Sequence, residues 1–348
     1  MNKSYHEIKS RINSVNNTLH ITNALKAEAA SKLRKTQKLA IAGREHLDLL
    51  YYLLDEVLKA KPKNYKVSPS MEAFMSGKAD SKKIGILVLG SNRGLAGNYN
   101  VLLENAIASV YEELKTSDNE VFVFPVGKKV ENFAKKMQLN IQDTFEISDY
   151  PTAEEAKDIH DSLLNYYFNS DLDRVIVLLH RFYSPGRQEI GTVDYLPFSL
   201  NKELKVEARS SSAIVELSQD TVKQDFNNEN LDEENPELEK NKKKIKHKSE
   251  KLDYEENAFT EFDPDYHSVL ENLFSYFLQA FMKQLLTESK GSEQIFRMRA
   301  MTQASENAEE MLNDLRIKFN ISRQARITEE TIEIVNAGLR EEKRKKER

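Results

Sequence analysis

Apolar residues recur in steps of three and four at both ends of the chain. Between Gln294 and Asn336, Met298, Met301, Ser305, Ala308, Leu312, Leu315 and Phe319 fall on one helix face. No Pro interrupts this stretch, and strong helix formers fill its other positions. Near the start, Ile8, Ile12, Val15, Leu19 and Thr22 follow the same pattern, and Leu47, Leu50, Leu54 and Val57 repeat it. Between these sets the seam runs through Ala24, Leu25, Ala29 and Leu33 with a phase drift that predicts a stutter. From Ser4 to Lys59 there is no Pro and a single Gly, Gly43. At about 1.5 Å per residue such a helix spans roughly 80 Å. Neither seam can be buried by its own helix, so the two terminal helices are expected to pair as an antiparallel coiled coil.

The middle of the chain changes period. After a linker over 61–82 containing Pro62, Pro69 and Gly77, Lys83–Gly90 is almost wholly apolar and reads as a strand buried on both faces. Glu120–Gly127 and Asp173–Phe182 read the same way, and Glu189–Phe198 alternates like an edge strand. Helical spacing fills Val101–Leu114, Lys128–Met137 and Glu154–Phe168. This alternation predicts a small Rossmann-like, mainly parallel α/β domain over 83–215. The expected fold class is therefore α/β plus a long antiparallel coiled coil, with 1–60 and 262–340 as its helices.

Residues 216–261 form a charged insert, acidic and then basic, expected to be a mobile loop or charged hairpin because it offers little apolar surface to offset ordering entropy. The C-terminal helix then restarts with Asp263 as its expected cap and Pro264 in its first turn. Gly291 is its one weak point, and 341–348 is a basic tail.

Charge and composition narrow the options. Residues 1–66 hold thirteen Lys or Arg against six Asp or Glu. No aromatic interleaving, zinc spacing or recognition helix accompanies that excess, which reads as a solvated helix face rather than a nucleic-acid surface. No run of eighteen apolar residues spans a bilayer, and the polar start MNKSYHEIKS lacks the apolar core of a secretory signal. Cys is absent, which removes disulfide and thiolate chemistry.

The turn Gly90-Ser-Asn-Arg-Gly94-Leu-Ala-Gly97 follows a strand and precedes a helix, as phosphate cradles do. Its spacing does not fit G-x-G-x-x-G, and no Gly-Lys-Ser/Thr marks a P-loop. A structural turn that seats Arg93 is the better reading. The seven His show neither HExxH nor paired metal spacing, and His180 reads as a packed residue. No catalytic set, cofactor site or metal site emerges.

Three segments resemble the gamma subunit of F-type ATP synthases. Ile8–Lys26, continuing through Ala29-Ala-Ser-Lys-Leu-Arg34, is similar to that family's N-terminal helix. Ser91-Asn-Arg-Gly94-Leu-Ala-Gly97 followed by Asn100 resembles its S-D-R-G-L-C-G…N signature. Arg297-Met-Arg-Ala-Met301, Asn307-Ala308, Arg323-Gln-Ala325, Ile327-Thr328, Glu330 and Glu333-Ile-Val335 resemble its C-terminal helix.

The resemblance implies a non-catalytic rotor shaft inside a ring of three alpha and three beta subunits. It implies contacts to epsilon and the c-ring, and a place on the cytoplasmic face of the cell membrane as a peripheral part of the complex. By match, Arg323, Gln324, Thr328 and Glu330 are expected to meet a beta-subunit loop, with Leu25 near the same region. Ile332, Ile334, Val335 and Leu339 are expected to form an apolar tip in the bearing of the ring. Asn92 and Ala96 depart from the signature Asp and Cys, and the insert and basic tail are unusual. A divergent rotor whose hexamer hydrolyses ATP for mechanical work, a nucleotide-binding α/β enzyme with a helical arm, and a coiled-coil scaffold are the competing expectations.

Overall fold

The computed structural model describes residues 2–62, 65, 68, 72, 74–75, 82–116, 119–169, 172–184, 187–198 and 262–346, without the side chains of 2–4, 182–187 and 339–346. The charged insert expected at 216–261 lies outside the described residues. The elements in order are α1 (Asn2–Lys59), β1 (Lys83–Leu89), α2 (Tyr99–Thr116), β2 (Glu120–Val126), α3 (Lys128–Lys136), α4 (Ala153–Phe168), β3 (Arg174–Ser184), β4 (Arg187–Leu196) and α5 (Tyr266–Lys346). Among the described residues, no helix is long and apolar enough to cross a membrane. The chain divides into two compact units, one of residues 1–37, 93–100 and 291–348, the other of 38–92 and 101–290.

The second unit is built on one four-stranded sheet in the order β2-β1-β3-β4. β1 runs parallel to β2, Lys83 opposite Glu120, and parallel to β3, Ile84 opposite Arg174. β4 closes the edge antiparallel to β3, as its alternating sequence predicts. Ile84, Ile86, Leu87, Val88 and Leu89 are all buried, which is why this strand reads as continuously apolar. Thr152 and Glu155 start α4 with a capping box: Glu155 N–H donates to Thr152 Oγ1 at 3.1 Å, and Thr152 N–H donates to the Glu155 carboxylate at 2.7 Å.

The core of this unit joins Leu47, Leu50 and Leu54 of α1 to Tyr167, Tyr195 and Phe198, and to Phe274, Phe277 and Phe281 of α5. α5 is capped by Asp265, not Asp263: the Asp265 carboxylate accepts the Ser268 N–H at 3.0 Å and the Ser268 hydroxyl at 2.8 Å. Those bonds hold the Asp265 carboxyl below the usual carboxylate range. The helix begins at Tyr266, two residues after Pro264, and runs unbroken through Gly291.

Within this unit, polar side chains are buried along α5. Gln284 Nε2 donates to Ala40 O at 3.1 Å and to Glu288 Oε1 at 3.0 Å. Glu288, 3% exposed, is bracketed by Arg44 at 3.3 Å and Arg181 at 3.1 Å. A carboxylate this deep requires such paired charge. Gly43 is where α1 makes room for the group: a Cβ there would lie 2.2 Å from Gln284 Oε1.

A second buried polar chain links α4, β4 and α5. His160 Nδ1 lies 2.7 Å from Tyr195 Oη, which donates to Leu278 O at 3.2 Å. Burial pushes His160 down from 6.5 to about 4 and Tyr195 well above its ordinary value.

Two outcomes follow for stability. The unfolded chain protonates His160 below about pH 6.5, whereas the folded chain resists until about pH 4. The unfolded state thus binds the extra proton in that window, and stability falls as pH drops through it, by up to about 3 kcal/mol from this group. Urea midpoints at pH 7 and 4.5 should show this slope, and His160→Phe should flatten it. Gly43→Ala, favoured by helix propensity alone, should instead cost about 1–2 kcal/mol because Gln284 must leave its partners. Thermal melts should show most of that cost gone when Gln284→Ala is added.

Candidate partner surface at the end of the C-terminal helix

In the first unit, α1 and α5 pair through their seams. The buried and half-buried positions Tyr5, Ile8, Ile12, Val15, Leu19, Thr22, Ala29, Leu33 and Thr36 keep one heptad phase; where a drift is expected, Ala24 and the in-phase Lys26 are exposed and Leu25 is half-buried. The facing series Met301, Ser305, Ala308, Leu312, Leu315, Phe319, Ser322 and Arg326 does the same. Two contacts fix the antiparallel register. Ser305 Oγ donates to Thr22 Oγ1 at 2.8 Å, and the Tyr5 and Phe319 rings stack with centroids 4.9 Å apart.

Beyond Arg326, every described side chain of α5 through Gly338 is exposed. Ile327, Ile332, Ile334 and Val335 are 54%, 54%, 72% and 55% exposed. Isolated water-facing helices of this composition are marginal, so an apolar stretch of this kind needs an external partner. Leu339 lies outside the residues whose side chains are described.

Of the expected beta-contact residues, Arg323, Gln324, Thr328 and Glu330 share this exposed end. Helical periodicity places Gln324 and Thr328 on one side, with the Thr328 hydroxyl donating to Gln324 O at 2.9 Å. Arg323 and Glu330 lie on another, and Glu330 accepts from Arg326 Nε at 2.8 Å. Arg323 and the Gln324 side chain have no hydrogen bond or ion pair among the described residues. Leu25 is not brought to them. Half-buried on α1 one turn past Thr22, it is level with the start of the paired region of α5, about 20 residues and roughly 30 Å of helix from Arg323.

The signature turn serves structure. Arg297 of α5 donates to Gly94 O at 3.4 Å and to Glu293 at 2.8 Å. Gly97 takes φ +54, a left-handed backbone that favours glycine, although a Cβ there would meet the Ala300 methyl at an ordinary contact distance of 3.5 Å. Tyr99, fully buried at the start of α2, meets Phe296 edge to face at 5.7 Å. Asn100 is half-buried in the first turn of α2, and Arg93 is exposed.

In the other unit, buried Ser91 accepts the Lys129 N–H through its carbonyl at 3.1 Å. Asn92 uses both ends of its amide: Nδ2 donates to Ile147 O at 3.2 Å, and Oδ1 accepts the Lys128 N–H at 3.3 Å. A carboxylate cannot make the first of these bonds, which gives the departure from the signature Asp a local reason. Ala96, which belongs to the first unit, is buried where the signature carries Cys. The carbonyl of Ser91 and the side chain of Asn92 thus occupy the first N–H groups of α3. Among the described residues, no group of three His, Asp or Glu could hold a metal ion.

Three contacts escaped the sequence reading: Thr22–Ser305, Tyr5–Phe319 and the pairing of Arg326 with Glu330. Tyr5 was legible as one further three-residue step before Ile8. Thr22 and Ser305 lie on predicted seams, but nothing in the sequence shows that they bond each other.

Comparison with known proteins agrees with this architecture. A family model described as ATP synthase matches residues 4–338. The chloroplastic ATP synthase gamma chain of Spinacia oleracea is 29% identical, over 94% of this chain and 86% of its own length. The ATP synthase gamma chain of Clostridium beijerinckii is 28% identical, over 95% and 96% respectively. A chain of the Euglena gracilis mitochondrial ATP synthase, in a structure of OSCP, F1 and c-ring, shares the fold with a TM-score of 0.56 at 14% identity, covering 97% of this chain and 94% of that one. With a family match over nearly its whole length and relatives of the same extent, the chain belongs to the ATP synthase gamma-chain family.

Proposed function

We propose that this chain is the central rotor stalk of an F-type ATP synthase or ATPase, carrying torque between a catalytic ring of alpha and beta subunits and the part it drives. One observation carries the reading: α5 outruns its partner helix and presents an unpaired, partly apolar end after a strict two-helix seam. A shaft that enters a ring needs this form, stiff where paired and asymmetric where it meets the ring. The family membership supports the same assignment.

In this reading the chain supplies contacts and stiffness but no catalytic group. Arg323 and Gln324 meet a loop of a beta subunit, where a planar guanidinium suits brief pairing with carboxylates. Thr328 and Glu330 border that contact, and Ile332, Ile334, Val335 and Leu339 ride in the bearing. Leu25, well separated from Arg323, would meet the ring at a different level. Epsilon and c-ring subunits would engage the chain elsewhere, holding it as a peripheral component on the cytoplasmic face of the membrane.

The tagged chain should bring down alpha-like and beta-like subunits in about a three-to-one excess each, with ATPase activity. Replacing Arg323→Ala together with Gln324→Ala should lower that complex's turnover about tenfold without loss of assembly, the scale of one charge-assisted bond. Unchanged turnover would remove these residues from the contact.

A further inference from the structure

Tyr5 and Arg326 meet at the point where the two-helix seam ends. The Tyr5 ring is stacked on Phe319 at 4.9 Å with 29° between planes. The guanidinium carbon of Arg326 lies 5.2 Å from the centre of the same ring. On its other side, Arg326 Nε donates to Glu330 at 2.8 Å. With Glu330 about half exposed, that ion pair alone would hold little. A guanidinium placed against an aromatic face gains attraction and loses less freedom than a flexible ammonium would. The end of α1 would otherwise fray, as helix ends do.

Arg323 and Gln324 stand within the turn before Arg326 on α5. Whatever restrains Arg326 restrains the backbone from which they project. We propose that Tyr5, Phe319 and Arg326 form a terminal clasp that holds the turn carrying Arg323 and Gln324 in place when a partner pulls on it, with Tyr5 and Arg326 as positioning residues. The inference rests on the partner-contact reading above. The clasp sets the boundary between the stiff paired shaft and the single helix beyond it, so a load applied at Arg323 passes into both helices rather than bending one.

The test uses the complex assembled from the full chain and its alpha-like and beta-like subunits. Tyr5→Ala should lower ATP turnover about two- to fivefold, the scale of one cation–π contact, with the yield of complex unchanged. Tyr5→Phe, which keeps the ring, should restore normal turnover. Arg326→Leu, which keeps an apolar stem but no charge, should match Tyr5→Ala. In the Arg323→Ala, Gln324→Ala background, Tyr5→Ala should cause no further loss, because the clasp acts through those two residues.

Normal turnover with both Tyr5→Ala and Arg326→Leu would overturn the clasp, and so would a full multiplicative loss in the doubly substituted background, which would mark a general structural role. Failure of the unaltered chain to recover any hexamer is a different result, and it would overturn the stalk assignment itself.

Discussion

Everything else in the first unit depends on the burial of a narrow seam between two helices that cannot bury it alone. The seam is built from small residues as much as large ones: Ala29, Thr36 and Thr22 on α1, and Ser305 and Ala308 on α5 are all buried. Small side chains let the helices approach closely, at the expense of the apolar area that a Leu seam would remove from water. The hydrogen bond from Ser305 to Thr22 compensates for burial and marks the register, since a shift along the seam would take the Thr22 acceptor from Ser305, whereas the Thr22 hydroxyl would keep its own bond to Leu19 O.

The second unit holds its parts of the two long helices by other means. Leu47, Leu50 and Leu54 of α1 and the Phe cluster of α5 join one core with the sheet. Beside that core lies a charged group, Glu288 between Arg44 and Arg181, with Gln284 tied to the α1 backbone. Such a group adds little stability over an apolar core but penalises any other register strongly, because sliding either helix would strand a buried carboxylate. Gly43 has the same logic in reverse, since its missing side chain admits Gln284. Stiffness and fixed register are what a torque-bearing shaft requires.

Much of this was legible in the chain. The strands of the sheet announced themselves because a strand covered on both faces must be apolar throughout, as Ile86–Leu89 are. The α5 seam was readable because Met301, Leu312, Leu315 and Phe319 are large. Around Ala24 the α1 seam is hard to read because the buried Thr22 carries little hydrophobic signal and the apolar Ala24 is exposed. Thr36 and Gly43 were invisible for the same reason. The burial of Gln284, Glu288, Ser289 and Glu293 ran against their polarity, since nothing local says that a polar stretch of helix will be enclosed. Asp265 rather than Asp263 caps α5 because the chain still bends at Asp263 and Pro264 and the helix starts only at Tyr266. At the candidate site, the identities of Arg323 and Gln324 came from family resemblance, whereas their lack of partners and the separation of Leu25 required coordinates.

The chain contains no Cys, so a single engineered pair reports the helix register directly. Thr22→Cys with Ser305→Cys, at a site where the native oxygens are 2.8 Å apart, should oxidise within one chain to a disulfide in high yield under mild conditions. Thr22→Cys with Leu312→Cys, one heptad away, should remain reduced. Cross-linking of the second pair, or of neither, would contradict the paired shaft on which the functional assignment stands.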